Sequence, residues 1–268
     1  MSGRELSVVD VFHGELFQAC RRNNSVELKI SLNGADRVFN ADAMFSSNDR
    51  FFLIEFKSSL GDLKSEDRKP AACILCEGLF KHSEILQVHQ QCHYAMWGKK
   101  QYNGNLETKY GVYEDLVCRS QTLPLCEAVW HAPNHRKSVL DAPKHWKGTD
   151  LAFNATQNKA GLGRDEFLPY LEWLLWTRTS GGGSTGRGTL PIMLFGTSLL
   201  GDVNGQPFEN FQSLEAWAQP FIDERNRNRP ATASNATPAP HNPSTLSAGD
   251  DSDSKREGSS SKNRPGPR

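Results

Sequence analysis

The sequence predicts an α/β protein with a mixed central sheet flanked by helices, on three observations. Residues 37–59 hold two apolar segments joined by turn-forming residues, which indicates a β-hairpin. Residues 5–20 have apolar side chains at helical spacing, and Pro70 is well placed to open a second helix. Residues 94–97 form another short apolar run before Gly98, as expected of a further strand.

The opening helix has one buried face, formed by Val9, Phe12, Leu16 and Cys20. Glu15 lies at the edge of this face. It is either a solvated flank or a carboxylate that leans toward the hairpin. Residues 26–32 then alternate apolar and polar side chains, which predicts a half-buried strand before the turn at Asn33-Gly34.

The hairpin gathers charged side chains. Asp42 lies in its first segment, and Glu55 and Lys57 end the second, two residues apart and therefore on one strand face. If the segments pair about Asn48-Asp49, Asp42 and Glu55 are nearly opposite, at about 5 Å. Burying such charges is costly unless a partner compensates them, and a divalent metal would be such a partner.

The later elements are weaker in pattern. After a polar connection over 58–69, we expect a helix from Ala71, a turn around Asn103-Gly104 and strands over 94–97, 110–118 and 190–195. Helices are expected over 165–178, with Pro169 in the first turn, and over 213–226. The glycine-rich stretch 180–188 follows a helix and precedes a strand, so we interpret it as a flexible connection rather than a phosphate-binding loop.

The composition limits which functions and which domain organisation are possible. Formal net charge is zero, so nucleic-acid binding would need a local basic patch. Residues 123–163 interleave cations with aromatics, which favours such a contact loop or simply an exposed surface loop; its members are Trp130, His131, His135, Arg136, Lys137, Lys144, His145, Trp146 and Lys147. Residues 1–226 are expected to form one domain, with its core at about 5–118, and residues 227–268 a disordered tail.

The sequence contains no apolar run that predicts a membrane span and no evident signal peptide, so we expect a cytoplasmic protein without a membrane partner. The six cysteines then favour reduced thiols or a metal site over a disulfide framework.

The hairpin resembles the PD-(D/E)xK, or restriction-endonuclease-like, nuclease superfamily. That family has a helix acid, a hairpin Asp and a strand ending in Glu-x-Lys, which here correspond to Glu15, Asp42, Glu55 and Lys57. Ala41 stands where the family often has proline. The resemblance implies a restriction-endonuclease-like core, with Mg²⁺ or Mn²⁺ on Asp42 and Glu55. It also implies that Lys57 positions or activates water and that Glu15 supports the metal.

A second motif follows the hairpin. Cys73, Cys76, His89 and His93 have the spacing Cys-x2-Cys-x12-His-x3-His, which is typical of structural Zn²⁺ sites. The motif resembles a Cys2His2 zinc finger. The competing interpretation is a long helix over 71–91 in which these side chains are packed in the core.

The sequence therefore predicts a metal-dependent nuclease, with DNA favoured over RNA as its substrate. A homo-oligomer or a larger assembly is compatible with it. Two other functions stay open: a zinc-finger module that binds nucleic acid or protein, and an inactive nuclease-like scaffold.

Overall fold

The computed structural model describes residues 3–25, 27–32, 41–131, 142–179, 192–197 and 203–208, together with residues 216 and 227. The helices are α1 (Gly3–Arg22), a 3-10 helix (Leu60–Arg68), α2 (Pro70–Lys81), α3 (Ser83–Cys92), α4 (Tyr113–Val117), α5 (Glu127–His131), α6 (Gly148–Thr156) and α7 (Arg164–Thr179). The strands are β1 (Glu27–Ser31), β2 (Ala43–Ser47), β3 (Arg50–Lys57), β4 (His93–Lys100), β5 (Leu106–Val112), β6 (Trp146–Lys147), β7 (Leu162–Gly163), β8 (Ile192–Thr197) and β9 (Val203–Phe208).

All the described strands join one open sheet in the order β6-β5-β4-β3-β2-β1-β8-β9, with the short β7 added against β3. Among these strands the pairing is antiparallel except between β3 and β4, which run parallel. The crossover that a parallel pair requires contains the 3-10 helix, α2 and α3. The predicted α/β class with a mixed sheet and flanking helices is confirmed.

One face of the sheet packs on α1 through aromatic side chains. Phe12 of α1 lies edge-on to Phe45, at 5.2 Å between ring centroids, and also contacts Phe52 and Phe56 of β3. Because side chains alternate along a strand, this arrangement directs Phe51, Glu55 and Lys57 to the opposite face.

The opposite face is covered by the 3-10 helix, α3 and α7, and α2 packs against these helices. Phe51 stacks on Phe167 of α7 at 5.6 Å between ring centroids. Gly78 of α2 allows α7 to approach closely, because a Cβ there would lie 2.9 Å from the Trp173 ring. Glu55 and Lys57 therefore lie in a covered layer rather than on an open sheet surface.

Several predicted elements differ from the structure. The predicted strand over 110–118 ends at Val112, and the chain continues as α4, whose first turn carries Glu114 and Asp115. The alternative long helix over 71–91 is interrupted at His82, which has φ −129° and ψ 88°. Pro169 is the sixth residue of α7 and not in its first turn. Strand β9 was not predicted from the sequence.

Three predictions fall on residues that the structure does not describe. These are the glycine-rich connection over 180–188, the helix over 213–226 apart from residue 216, and the tail over 227–268 apart from residue 227. Within the described ranges, no helix combines the length and the apolar character that crossing a membrane requires.

Candidate active site

The β2–β3 hairpin brings Asp42 and Glu55 together. Its register pairs Ala43 with Ile54, so that Asp42, one residue earlier, lies opposite Glu55. Backbone contacts fix Asp42 in place: its N–H donates to Ile54 O at 2.9 Å, and its Oδ2 accepts from Phe56 N–H at 2.7 Å. The predicted hairpin about Asn48-Asp49 is therefore confirmed.

Glu55 is 1% exposed and holds two lysines on one oxygen. Its Oε1 contacts Nζ of Lys57, and Nζ of Lys69 lies 2.6 Å from the same atom. Its other oxygen, Oε2, is buried and has no hydrogen-bond partner among the described residues. A buried carboxylate oxygen normally has a partner, so this oxygen is available as an acceptor for a further cation or proton donor.

A third carboxylate, Glu66, completes the group from the 3-10 helix. Its Oε1 lies 2.9 Å from Lys57 Nζ and 2.8 Å from Lys69 Nζ, and its Oε2 accepts from the Tyr113 hydroxyl at 3.0 Å. We refer to Asp42, Glu55, Lys57, Glu66 and Lys69 as the acid–lysine cluster.

The acid–lysine cluster is short of positive charge. When all five groups are ionised, three carboxylates face two ammonium groups, which leaves one negative charge in a mostly buried site. Burial raises the pKa of Glu55 to about 8, and the charges of Asp42 and Glu66 act in the same direction. Such groups titrate as a unit, so the extra proton belongs to the cluster and is held mainly at Glu55.

The other carboxylates of the cluster respond differently. Burial opposes ionisation of Glu66, but Lys57 and Lys69 outweigh it and lower the pKa to about 2. Burial raises the pKa of Asp42, and the hydrogen bond from Phe56 opposes this rise. Proximity to the lysines thus keeps Glu66 ionised, whereas Asp42 and Glu55 are the acids of the cluster that take up a proton more readily.

Both lysines of the cluster stay cationic. Burial lowers the pKa of Lys57, but attraction to Glu55 and Glu66 outweighs it and leaves the pKa raised, and the same balance holds at Lys69. The side chain of Lys69 is 37% exposed, whereas that of Lys57 is 6% exposed. The cluster therefore opens to solvent on the Lys69 side.

Glu15 is not brought to the acid–lysine cluster. Its Oε2 accepts from the Thr108 hydroxyl of β5 at 2.5 Å, and burial raises its pKa, with Glu107 and Asp150 as its charged neighbours. The α1 carboxylate that acts on the cluster is Glu5, whose charge raises the pKa of Asp42. Glu5 precedes Val9 by four residues, so it continues the buried stripe of α1 at the hairpin end.

Sequence reasoning missed Glu5, Glu66 and Lys69. For Glu5 a signal existed, since it shares the helical stripe of Val9 and Phe12, whereas Glu15 lies at its edge. Glu66 and Lys69 fall in a polar connection with four other charged residues, and only the course of the 3-10 helix selects the two that face Glu55. Their i,i+3 spacing is a weak indication of a shared side.

The residues of the zinc motif have other partners. Cys73 is bonded to Cys126 and Cys76 to Cys118, with Cα–Cα distances of 5.5 Å in both disulfides. The expectation of reduced thiols is therefore wrong for these four, whereas Cys20 and Cys92 are buried outside any disulfide. With these sulfurs bonded to each other, the described ranges contain no group of three or more His, Cys, Asp or Glu side chains arranged to hold a metal.

His89 and His93 are held by a tyrosine rather than by the cysteines. The Nδ1 atoms of both rings lie 2.7 Å from the Tyr170 hydroxyl, which donates its one proton to one ring and accepts from the other. Burial lowers the pKa of His89, and His93 adds to this effect. His89 is thus a neutral core histidine, as the competing helical interpretation of the motif implies.

A basic surface lies on the same sheet face as Glu55 and Lys57. The register aligns Lys57 with Trp97, Trp97 with Lys109, and Lys109 with Lys147 across four strands. Glu107 lies among these lysines; Lys109 lies 3.1 Å and Lys147 3.7 Å from it. We refer to Lys99, Lys109 and Lys147 as the basic row, which keeps an excess of positive charge beside Glu107.

The predicted contact loop is described only in part. His145 packs its ring edge-on to Trp97, at 5.7 Å between centroids, and Trp146 lies 5.6 Å from Tyr110. Trp130 and Trp146 are both exposed, at 60% and 42%. His135, Arg136 and Lys137 lie outside the described residues.

Comparison of the chain with models of protein families, with curated proteins and with solved structures finds no match.

Proposed function

We propose that the protein is a Mg²⁺-dependent nuclease that hydrolyses phosphodiester bonds, with DNA as the expected substrate, at the acid–lysine cluster. The observation that carries the proposal is the pairing of Asp42 with Glu55, whose Oε2 is buried without a hydrogen-bond partner in the described structure. The cluster is also one positive charge short. A divalent cation supplies that charge and turns the site net positive, which suits a phosphodiester anion.

The donor set fits Mg²⁺ or Mn²⁺. Both are hard cations that prefer carboxylate oxygens, and Mg²⁺ is commonly bound by one or two carboxylates while it keeps several waters. Asp42 and Glu55 would hold the ion. A bound divalent ion neutralises charge on the phosphate and lowers the pKa of water.

Lys57 is proposed to position water rather than to deprotonate it. Its raised pKa means that the amine stays an ammonium group near neutral pH, so it donates hydrogen bonds and does not act as a base. Lys69 is the more exposed of the two lysines and is proposed to contact the phosphate of the substrate. Glu5 takes the supporting place that the sequence suggested for Glu15.

The order of elements gives further support. A helix with an acid is followed by a hairpin that carries Asp42 and whose second strand, β3, ends in Glu55-Phe-Lys57. A helical crossover then leads to β4, which runs parallel to β3. This agrees with the PD-(D/E)xK nuclease pattern on which the sequence resemblance rests.

The test is cleavage of plasmid, linear duplex and single-stranded DNA and of RNA, with Mg²⁺, Mn²⁺ or chelator. We expect cutting of DNA that requires the metal and is lost in Asp42→Asn and Lys57→Met. Lys81→Met removes an exposed amine on α2 and serves as the control that keeps wild-type activity. Cutting that persists in chelator, or in Asp42→Asn, would overturn the assignment.

Activity is expected to depend on pH through Glu55. A metal must displace the proton that the raised pKa of about 8 keeps on Glu55 at neutral pH. As the pH rises toward that value, the Mg²⁺ concentration for half-maximal cutting should fall by about tenfold per pH unit. The measurement is a Mg²⁺ titration of cutting between about pH 6 and about pH 9. A Mg²⁺ requirement that does not change with pH would contradict the role of Glu55.

The basic row is proposed to hold the DNA backbone. Lys99 and Lys147 are exposed, and the register places Lys147 in line with Lys57. The double variant Lys99→Ala/Lys147→Ala should bind single- and double-stranded DNA more weakly, with a slope of log affinity against log salt smaller by about one per lost contact. Fluorescence anisotropy in chelator measures this without cutting. Lys159→Ala, an exposed lysine on a turn after α6, is the control; an unchanged slope in the double variant contradicts the prediction.

An inactive nuclease-like scaffold is the second candidate, and one observation favours it. Lys57 and Lys69 already neutralise Glu55 Oε1, as they would in a purely structural ion cluster. A folded wild-type protein that binds DNA but cuts no substrate with either metal would support this candidate over the nuclease.

A further inference from the structure

Four cysteine sulfurs converge beside α2. Cys73 and Cys76 are one turn apart on this helix, and their disulfide partners Cys126 and Cys118 come from the segment that follows α4. Residues three apart on a helix have Cβ atoms about 5–6 Å apart, and each sulfur is bonded directly to its partner. All four sulfur atoms therefore lie in one small region.

Both disulfides tie the same turn to the same segment. The Cys73–Cys126 disulfide closes a long loop, and the Cys76–Cys118 disulfide lies inside it. Cys76 follows Cys73 by three residues and Cys118 precedes Cys126 by eight, so once the outer disulfide has formed, the inner one closes only a short loop. A short loop restricts the unfolded chain less than a long one, so the second bond adds less than the first. Two disulfides that restrict the unfolded chain at the same place do little to explain why the chain has four cysteines there. Four converging sulfur atoms are what a tetrahedral metal site requires.

We propose that, when reduced, Cys73, Cys76, Cys118 and Cys126 form a four-thiolate site for Zn²⁺. Soft thiolates select zinc, and the Cys-x2-Cys pair is a typical half-site. Zn–S bonds of about 2.3 Å in a tetrahedron put the sulfurs about 3.8 Å apart, so each bonded pair must separate by about 2 Å. Cys76, Cys118 and Cys126 are buried, which shields the site from water.

The site is structural, because four protein ligands leave no open position. The site joins α2 to the segment after α4. Helix α2 begins next to Lys69, and helix α4 begins with Tyr113. Lys69 and Tyr113 both contact Glu66, so the metal braces the two elements behind the acid–lysine cluster. The proposal does not depend on nuclease activity.

The conversion of the two disulfides into a zinc site is balanced in atoms and electrons. Two dithiol molecules reduce the two disulfides to four thiols and become two cyclic disulfides. Zn²⁺ then replaces four protons, which gives a complex of charge minus two. The oxidised and metal-bound forms are thus alternative states of the same four sulfurs.

The experiment uses the full chain, reduced by a dithiol in the absence of oxygen and titrated with Co²⁺, whose thiolate complexes absorb visible light. We expect about one Co²⁺ per chain, displaced by Zn²⁺, with the intense bands of tetrahedral sulfur coordination. Cys118→Ser/Cys126→Ser should lose nearly all of this signal. Cys92→Ser removes a thiol outside the group, and His89→Ala tests the alternative histidine ligand; both should keep the signal.

Circular dichroism of each reduced variant shows whether it is folded. A folded, reduced wild-type chain that binds no Co²⁺ or Zn²⁺ overturns the proposal. So does a signal that survives in Cys118→Ser/Cys126→Ser or disappears in His89→Ala, and so does a reduced chain that stays unfolded when Zn²⁺ is present. Because the readout is spectroscopic, none of these outcomes depends on whether the protein cuts DNA.

Discussion

Glu55→Gln is expected to lower the rate of DNA cutting by about a thousandfold, the scale on which a preorganised charge in an active site acts. Glutamine keeps the shape of the side chain but removes the negative charge that binds the metal. The same change leaves two carboxylates against two lysines, so the cluster becomes neutral. The folded state should not be weakened, because Glu55 already carries the extra proton of the cluster near neutral pH. Binding of DNA in chelator should be unchanged.

The matched control is Glu77→Gln on α2, where an exposed Glu77 pairs with Lys81 on the surface. Cutting is followed under single-turnover conditions, together with anisotropy for binding and thermal unfolding for stability. Glu55→Gln should also lose the stabilisation that Mg²⁺ gives to the wild type. Cutting within about tenfold of wild type by a folded Glu55→Gln protein would place the active site elsewhere.

The same variant tests the linkage between proton binding and stability. The pKa of Glu55 is raised in the folded state, so the folded chain keeps a proton that the unfolded chain loses. Without metal, the free energy of unfolding should therefore fall as pH rises from the usual value for glutamate toward about 8. Glu55→Gln cannot titrate, and over this range its stability should fall less than that of the wild type.

Glu66→Ala is expected to lower the free energy of unfolding by about 3–5 kcal/mol. Glu66 is fully buried, and its Oε1 lies within 2.9 Å of Lys57 Nζ and 2.8 Å of Lys69 Nζ. Removing it takes away the carboxylate that stays ionised beside both buried ammonium groups, because the pKa values of Asp42 and Glu55 are raised whereas that of Glu66 is lowered. The Tyr113 hydroxyl also loses its acceptor.

Urea unfolding measures this loss, and Glu77→Ala on the exposed Glu77–Lys81 pair is the control, with an expected cost of about 0.5 kcal/mol or less. The contrast separates a buried ion cluster from a surface ion pair of the same chemistry. Equal losses in the two variants would mean that water screens Glu66 far more than its burial indicates.

The hairpin could be predicted because its determinants are local. The apolar run Phe51 to Ile54 and the turn residues Asn48 and Asp49 establish the register, and the register alone places Asp42 opposite Glu55. The choice of partners for Glu55 is not local. Glu66 and Lys69 are selected by how the 3-10 helix docks on the sheet, which their i,i+3 spacing in the sequence indicates only weakly.

The cysteine motif, in contrast to the hairpin, shows a local pattern that did not predict the contacts of its residues. Their spacing matched a familiar pattern, and the structure pairs them with Cys118 and Cys126 rather than with the nearby histidines. His89 and His93 instead turn inward to Tyr170, more than seventy residues away. A motif identifies residue types that suit a metal, but the tertiary fold determines which of them meet.

The parallel pairing of β3 with β4 has a consequence for folding. The β2–β3 hairpin closes over a two-residue turn, so Asp42 and Glu55 can meet early, within microseconds of the start of folding. Lys69 and Tyr113 arrive only after the long crossover has docked and β4 has paired, which are contacts of high sequence separation. The two carboxylates therefore meet with Lys57 as the ammonium group that the hairpin itself carries, before Lys69 is in place. The excess negative charge should favour a partly folded chain in which Glu55 is protonated.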